Sequence, residues 1–171
     1  MENWLPNPYL NLTPIRNQDM FFGRDNLLKR FYAAIANHQS VSLVGSRHIG
    51  KSSFLRHACL PEIQALFPDF NLCRHIFVYL DLGEFLRITR EDFFRTVSSG
   101  IITRSQTLSD LKIHLRAQKE GKAENEFSLL LQQVVDQGYF PVLLLDGFDN
   151  ITLNEEFDLK FFRFPRAGNH G

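Results

Sequence analysis

The stretch from residue 45 to residue 52 constrains the fold of this chain more than any other part of the sequence. It reads Gly-Ser-Arg-His-Ile-Gly-Lys-Ser and matches the pattern G-x-x-x-x-G-K-S/T at every defined position. The residues Ser-Val-Ser-Leu-Val at 40–44 predict a short strand before it, and a helix is predicted from Gly50 or Lys51 until shortly before Pro61. This order of strand, glycine-rich loop and helix is typical of α/β proteins that bind nucleotide phosphates.

The defined positions of this loop have separate chemical tasks. Gly45 and Gly50 allow the backbone to turn successive N–H groups towards phosphate oxygens. Lys51 can reach the β- and γ-phosphates and is a candidate catalytic residue, and the Ser52 hydroxyl can bind Mg²⁺. The alternative interpretation is an ordinary glycine-rich turn with an exposed lysine. The candidate nucleotide-binding residues are Gly45, Ser46, Arg47, His48, Ile49, Gly50, Lys51, Ser52 and Ser53.

A second informative stretch, residues 143–150, reads Leu-Leu-Leu-Asp-Gly-Phe-Asp-Asn. The apolar run predicts a strand at 140–146 that is buried on both faces, as in parallel sheets. Ligands of such sheets bind just beyond the carboxyl ends of the strands, so Asp146 is the candidate Mg²⁺ ligand. Asp149 follows three positions later and either orients the attacking water, as a candidate catalytic residue, or caps the next turn.

The remaining hydrophobic pattern alternates strands with helices, which predicts an α/β fold with a parallel sheet. Residues 1–20 contain three prolines and predict an extended leader, which leaves residues 21–171 as the domain. Thr89 and Asp92 form a capping box at the start of one predicted helix. Further elements are predicted as a strand at 74–82 and as helices at 26–37 with Asp25 as cap, from Thr89, at 107–118, up to Gly138 and from about Glu155.

The composition excludes several classes of protein. Nineteen basic residues balance nineteen acidic ones, which gives no support for binding to nucleic acid or to an anionic membrane surface. The apolar runs are shorter than the roughly 18–20 residues of a membrane span, and the N-terminus lacks the pattern of a signal peptide. Cys59 and Cys73 have no metal-type spacing and are predicted to be buried free thiols. We therefore expect a cytoplasmic protein.

Three stretches are similar to motifs of a known family. Phe21-Phe22-Gly23-Arg24-Asp25 is similar to the aromatic-Gly-Arg-acid box that opens the family's nucleotide domain. The loop with Arg47 and His48 resembles the family's basic-rich phosphate loop, and Asp146-Gly147-Phe148-Asp149 is similar to its second acidic motif. On these motifs the chain resembles the STAND class of AAA-related ATPases, close to the archaeal-type and bacterial AAA-like members.

The resemblance implies a P-loop NTPase three-layer fold, with ATP and Mg²⁺ as cofactors. It also implies self-association or a partner domain, because this class often works as oligomers. In the family the Gly23-Arg24 box folds over adenine, which makes Phe22 and Arg24 candidate base contacts. The alternatives are core packing for Phe22 and a surface position for Arg24. The chain has no Asn-Lys-x-Asp motif for reading guanine, which favours adenine.

The chain departs from the family at Asn150, where a glutamate usually follows the second acid. Asparagine can position water but cannot accept its proton at neutral pH. The expected function is an ATP-binding domain with Mg²⁺-dependent hydrolysis in its intact context, and the alternative is a nucleotide-dependent switch or scaffold with little hydrolysis. A DNA-linked ATPase similar to origin-recognition proteins is a third hypothesis, without a basic stripe in the sequence to support it.

The resemblance also implies that part of the family's domain is missing. In the family a strand with a polar sensor residue follows the acidic motif, and a helical lid comes later. The sequence ends at Gly171, where that strand should begin, so we expect the three-layer fold to be incomplete. A fragment of a longer protein is the favoured explanation, and a strand supplied by a partner or closure of the neighbouring strands are the alternatives.

Overall fold

The computed structural model describes residues 23–83, 88–113, 122–152, 154–157 and 161. The chain divides into two compact units, Met1–His75 and Ile76–Gly171. The predicted leader at 1–20 and the candidate base contact Phe22 lie outside the described residues.

Helices dominate the described part of the first unit. These are α1 (Asp25–Ala36), α2 (Lys51–Ala58) and α3 (Pro61–Gln64), followed by 3₁₀ turns at Pro68–Phe70 and Leu72–Arg74. The second unit combines a sheet with helices. Its elements are β1 (His75–Asp81, starting at the last residue of the first unit), α4 (Arg90–Ser105), α5 (Ala123–Asp136), β2 (Phe140–Asp146) and α6 (Phe148–Thr152).

Aromatic side chains form the core of the first unit. Tyr32 of α1 is fully buried, and its hydroxyl donates a hydrogen bond to the carbonyl of Ala58 at the end of α2 (2.8 Å). The ring of Phe31 meets the ring of Phe54 edge to face at 5.5 Å between centroids, and Phe67 packs on Tyr32 at 5.1 Å. Burial raises the pKa of the Tyr32 phenol above its ordinary range, with a smaller contribution from Cys59. The apolar face of α1 therefore fixes the position of α2, which follows the glycine-rich loop (residues 45–52).

The second unit is built on a parallel sheet in which β1 and β2 are neighbours. Ile76, Phe77, Val78 and Leu80 of β1 are buried, so this strand is covered on both faces. In β2 only Leu144 is buried among the strand's residues, which corrects the prediction that this strand is buried on both faces. The predicted α/β class is confirmed.

Helices α4 and α5 pack together over a cluster of phenylalanines. Phe94 of α4 contacts Phe127 of α5 at 5.1 Å between ring centroids, and Phe93 meets Phe157 and Phe161 at 5.7 and 5.4 Å. The two pairs made by Phe93 are edge to face, an arrangement that stabilises a core beyond the burial of its area. Much of the chain's high phenylalanine content is thus accounted for by packing.

The predicted helix boundaries around α4 and α5 are confirmed. The Thr89 hydroxyl accepts a hydrogen bond from the backbone N–H of Asp92 (3.1 Å), as expected of the capping box. At the end of α5, Gly138 adopts a positive φ of 76°, and the N–H of Tyr139 bonds to the carbonyl of Val134 at 3.1 Å. This is a Schellman ending, in which the glycine after the helix reverses the backbone.

The predicted strand at 40–44 does not form. Residues 39–46 have no regular secondary structure, and Val41 and Val44 are 40% and 92% exposed. Hydrophobic pattern predicts that a segment can be a strand, but a strand exists only where its backbone groups pair with a neighbour. The prediction was wrong for this reason.

The predicted helix at 107–118 is also wrong over its described part, residues 107–113, which form turns and irregular chain. The side-chain amide of Gln137 occupies both backbone groups of Lys112, accepting from its N–H at 2.9 Å and donating to its carbonyl at 2.8 Å. An α-helix would need these groups for its own hydrogen bonds. Residues 114–118 lie outside the described residues.

Three smaller expectations need correction. Asp25 is the first residue of α1 rather than its cap, which is Arg24. The helix expected from about Glu155 does not begin there, because residues 155–157 form a turn in which the Asn154 side chain accepts a hydrogen bond from the N–H of Glu156 (3.0 Å). Beyond residue 157, the described part of the chain includes only residue 161 of this expected helix. Cys59 is buried as predicted, whereas Cys73 is exposed.

Candidate functional site

The glycine-rich loop leads directly into the N-terminus of α2. Gly50 is the residue before the helix and has a φ of 89°, a left-handed conformation that costs glycine little. His48 also has a positive φ, of 62°. Left-handed residues in such a loop can turn backbone N–H groups to one side, an arrangement that suits an anion. The first turn of α2 adds its backbone N–H groups and the positive end of the helix dipole at the same place.

Lys51 folds back over this loop. Its ammonium donates hydrogen bonds to the carbonyls of Gly45 (2.8 Å) and Ser46 (3.0 Å). These two contacts hold the positive charge of the side chain beside the start of the loop, while its backbone begins α2. The ammonium of Lys51 therefore lies against the loop backbone rather than extended into solvent.

The other loop side chains are divided between surface and interior. Arg47, His48 and Ile49 are exposed, the last at 53%, in agreement with side chains that face away from the loop. Ser52 is half-buried in the first turn of α2, and Ser53 is buried at 7% exposure. Of the two serines, Ser52 is the one with access to a ligand.

Arg24 contacts the same loop from the start of α1. Its guanidinium donates to the carbonyl of Gly50 at 3.0 Å and to the carbonyl of Ile49. A Cβ added at Gly50 would lie 2.9 Å from a guanidinium nitrogen, so the contact depends on glycine at that position. The sequence left Arg24 between a base contact and a surface residue, and the structure places it against the loop backbone.

The second unit brings polar groups together at the carboxyl ends of β1 and β2. The Asp146 carboxylate accepts two hydrogen bonds, from the Tyr79 hydroxyl to Oδ2 at 2.7 Å and from the Gly147 N–H to Oδ1 at 3.1 Å. Asp81 ends β1, and its Oδ1 accepts from the N–H of Gly83 at 3.1 Å. The neighbouring strand ends are joined by the N–H of Leu82, which donates to the Asp146 carbonyl at 2.9 Å.

Gly147 is required by both conformation and space. Its φ is 67°, and a Cβ at this position would lie 3.0 Å from Nδ2 of Asn150 and 3.1 Å from the backbone nitrogen of Gly83. The N–H of Asn150 also donates to the Gly147 carbonyl at 2.9 Å. Asn150 is thus drawn in beside the end of the sheet, close to the residue that follows Asp146.

Asp149 lies exposed in the first turn of α6. Among the described residues, no group of three or more His, Cys, Asp and Glu side chains is arranged to hold a metal ion.

A comparison with protein families assigns the chain to one of them. A model of the family described as novel STAND NTPase 1 matches residues 8–158, most of the chain. The chain belongs to this family. Its predicted resemblance to STAND ATPases is confirmed at that level, and membership makes it an NTPase domain whose function is nucleotide binding. No curated protein and no solved structure gives a significant match.

Sequence reasoning missed one residue near the acidic end of this STAND domain's sheet. Tyr79 was counted only as part of a strand, yet its hydroxyl contacts Asp146. A signal was present, because side chains two apart on a strand share a face and Tyr79 precedes Asp81 by two positions.

No helix in the described part of the chain is long and apolar enough to cross a membrane.

Proposed function

We propose that this STAND NTPase domain binds ATP with Mg²⁺ and, in its intact context, hydrolyses the bond to the γ-phosphate. The observation that carries the proposal is the geometry of the glycine-rich loop, with Gly50 left-handed before α2 and the Lys51 ammonium held at the loop. Backbone N–H groups, a helix N-terminus and one flexible cation are the groups that bind a polyphosphate in such loops. This geometry supports a phosphate site without any assumption about the base.

Each unit contributes defined groups to the proposal. In the first unit, the loop N–H groups and Lys51 would bind phosphate oxygens, and the half-buried Ser52 hydroxyl is a candidate Mg²⁺ ligand. In the second unit, the Asp146 carboxylate is the proposed Mg²⁺ ligand. A bound Mg²⁺ neutralises charge on the phosphate oxygens. The Ser52 hydroxyl and the Asp146 carboxylate each offer oxygen, the ligand atom that Mg²⁺ prefers.

Asp149 is the proposed residue for orienting the attacking water, and its exposed position in α6 leaves its carboxylate accessible. The adjacent Asn150 is the observation that favours a second candidate function. Its amide lies beside Gly147 and cannot accept a proton from water. A nucleotide-dependent switch that hydrolyses ATP slowly, and acts through self-association or a partner domain, is therefore the second proposal.

The test is titration calorimetry of ATP into the purified chain in the presence of Mg²⁺, with Lys51→Ala compared with Lys29→Ala. Lys29 is exposed on α1 and serves as a matched loss of one lysine. We expect wild type and Lys29→Ala to bind alike and Lys51→Ala to lose about 10- to 100-fold in affinity, as for a charged hydrogen-bonding partner. Equal affinities for the two variants, or no binding by folded wild type, would contradict the proposal.

Turnover under saturating ATP then separates the two candidate functions. Multiple turnovers that cease in Asp149→Asn support hydrolysis with a water-orienting carboxylate. Tight ATP binding with no turnover supports the switch. GTP titrated in parallel tests the preference for adenine.

A further inference from the structure

We infer that Tyr79 is a positioning residue that orients the Asp146 carboxylate for Mg²⁺, an inference that rests on the proposed function. Tyr79 lies on β1 and Asp146 at the end of β2. A hydrogen bond of 2.7 Å from the Tyr79 hydroxyl to the Asp146 carboxylate joins these neighbouring strands. The contact joins residues that are far apart in sequence, so it exists only when the two strands are paired.

The two donors to Asp146 constrain its carboxylate from different directions. The terminal torsion of an aspartate is broad, so a single hydrogen bond leaves the plane of the carboxylate free to rotate. The N–H of Gly147, the next residue in the chain, donates a hydrogen bond to Oδ1 at 3.1 Å. The Tyr79 hydroxyl, on the neighbouring strand, donates a hydrogen bond to Oδ2. With both bonds made, the plane of the carboxylate is determined.

The phenol suits this task chemically. A tyrosine hydroxyl stays protonated at neutral pH, so towards an ionised carboxylate it acts as a donor. Each carboxylate oxygen has a further lone pair after accepting one hydrogen bond, and these remain for a metal ion or a metal-bound water. Partners that orient a metal ligand in this way commonly change metal affinity by about 10- to 100-fold when they are removed.

The inference is tested by the Mg²⁺ dependence of ATP binding. ATP is titrated into wild type and Tyr79→Phe at a series of Mg²⁺ concentrations and in EDTA. Tyr79→Phe removes one oxygen and keeps the half-buried ring. We expect similar ATP affinity in EDTA, and a rise of about 10-fold in the Mg²⁺ concentration that gives half of the metal-dependent gain in affinity. An unchanged Mg²⁺ dependence, with normal ATP binding, would overturn the inference alone.

A matched control separates positioning from packing. Tyr32→Phe removes a hydroxyl that bonds to the Ala58 carbonyl at 2.8 Å within the first unit. It should lower stability and leave the Mg²⁺ dependence unchanged. If Tyr32→Phe shifts the Mg²⁺ dependence as much as Tyr79→Phe, the effect is one of stability and the inference fails.

A second variant keeps the inference testable by another route. If Tyr79 acts through Asp146, adding Tyr79→Phe to Asp146→Asn should produce no further change in Mg²⁺ dependence. Additive effects of the two substitutions would overturn the inference. Absence of ATP binding by folded wild type in both Mg²⁺ and EDTA would overturn the proposed function, and this inference with it.

Discussion

Gly147 has a positive φ and crowded surroundings, whereas Gly23 has a positive φ without close neighbours among the described residues. Their φ values are 67° and 72°, and a Cβ at Gly23 would have no neighbour within 4 Å among the described residues. The pair therefore separates conformational strain from steric conflict. Gly147→Ala should lower the free energy of unfolding by roughly 1–3 kcal/mol more than Gly23→Ala, which suffers only the cost of the left-handed backbone.

Denaturant unfolding of the two variants measures this difference. Because both positions carry the strain of positive φ, equal losses in the two variants would mean that the contacts of Gly147 with Asn150 and Gly83 yield easily. That result would contradict the crowding argument.

Arg24 poses a different question at the same scale, since it binds the loop backbone and was also a candidate base contact. If it supports the loop through the carbonyls of Ile49 and Gly50, Arg24→Gln should weaken the binding of ATP and of inorganic triphosphate alike. The loss should be roughly 5-fold or more, the value of a typical hydrogen bond. Calorimetry with both ligands checks this, and a loss confined to ATP would instead assign Arg24 to the base.

Helix α4 and strand β1 approach each other closely at Gly100. A Cβ on this glycine would lie 2.5 Å from Cγ1 of Val78, and valine has little freedom to rotate away. Gly100→Ala should therefore destabilise the chain by about 1 kcal/mol or more, although alanine is the better helix former by a similar amount.

The same substitution in a Val78→Ala background should change sign, because the conflict disappears and only the gain in helix propensity remains. Thermal or denaturant unfolding of the four combinations measures the coupling. Ser99→Ala, exposed on the same helix, is the control for propensity alone. A destabilising effect of Gly100→Ala that persists without Val78 would show that another contact is responsible.

At the scale of the whole molecule, two histidines predict how stability depends on pH. Burial lowers the pKa of His57, against the opposing carboxylates of Glu62 and Asp25, and burial together with the charge of His38 lowers the pKa of His75. Both values lie below the ordinary 6.5 in the folded chain, so on acidification the unfolded chain takes up protons first. The free energy of unfolding should be at its highest above about pH 6.5 and should decrease as the pH is lowered further.

Denaturant midpoints between pH 7.5 and pH 5.5 test this, since carboxylates with ordinary pKa values near 4 stay largely ionised there. His75→Phe should make the decline shallower. Stability that is constant across this interval, or that rises on acidification, would contradict the assignment.

The sequence predicted most of the elements that end in local signals. Short stretches of sequence were enough to predict three features: the capping box at Thr89, the glycine after α5 and the strand that ends at Asp146. The structure confirms all three. The helix at 107–118 failed because Gln137, far along the chain, takes the backbone groups of Lys112. No local pattern contains that information.

By itself, the sequence determined the STAND family and the strand that ends in Asp146, and it predicted the phosphate chemistry of the loop. The motifs behind these conclusions are defined by residue types only a few positions apart, so they can be recognised without the tertiary structure. Only the tertiary structure decided that residues 40–44 form no strand, that Arg24 lies against the loop and that Tyr79 holds Asp146. Strand pairing and side-chain contacts join residues tens of positions apart, and their geometry is fixed by packing rather than by spacing along the chain.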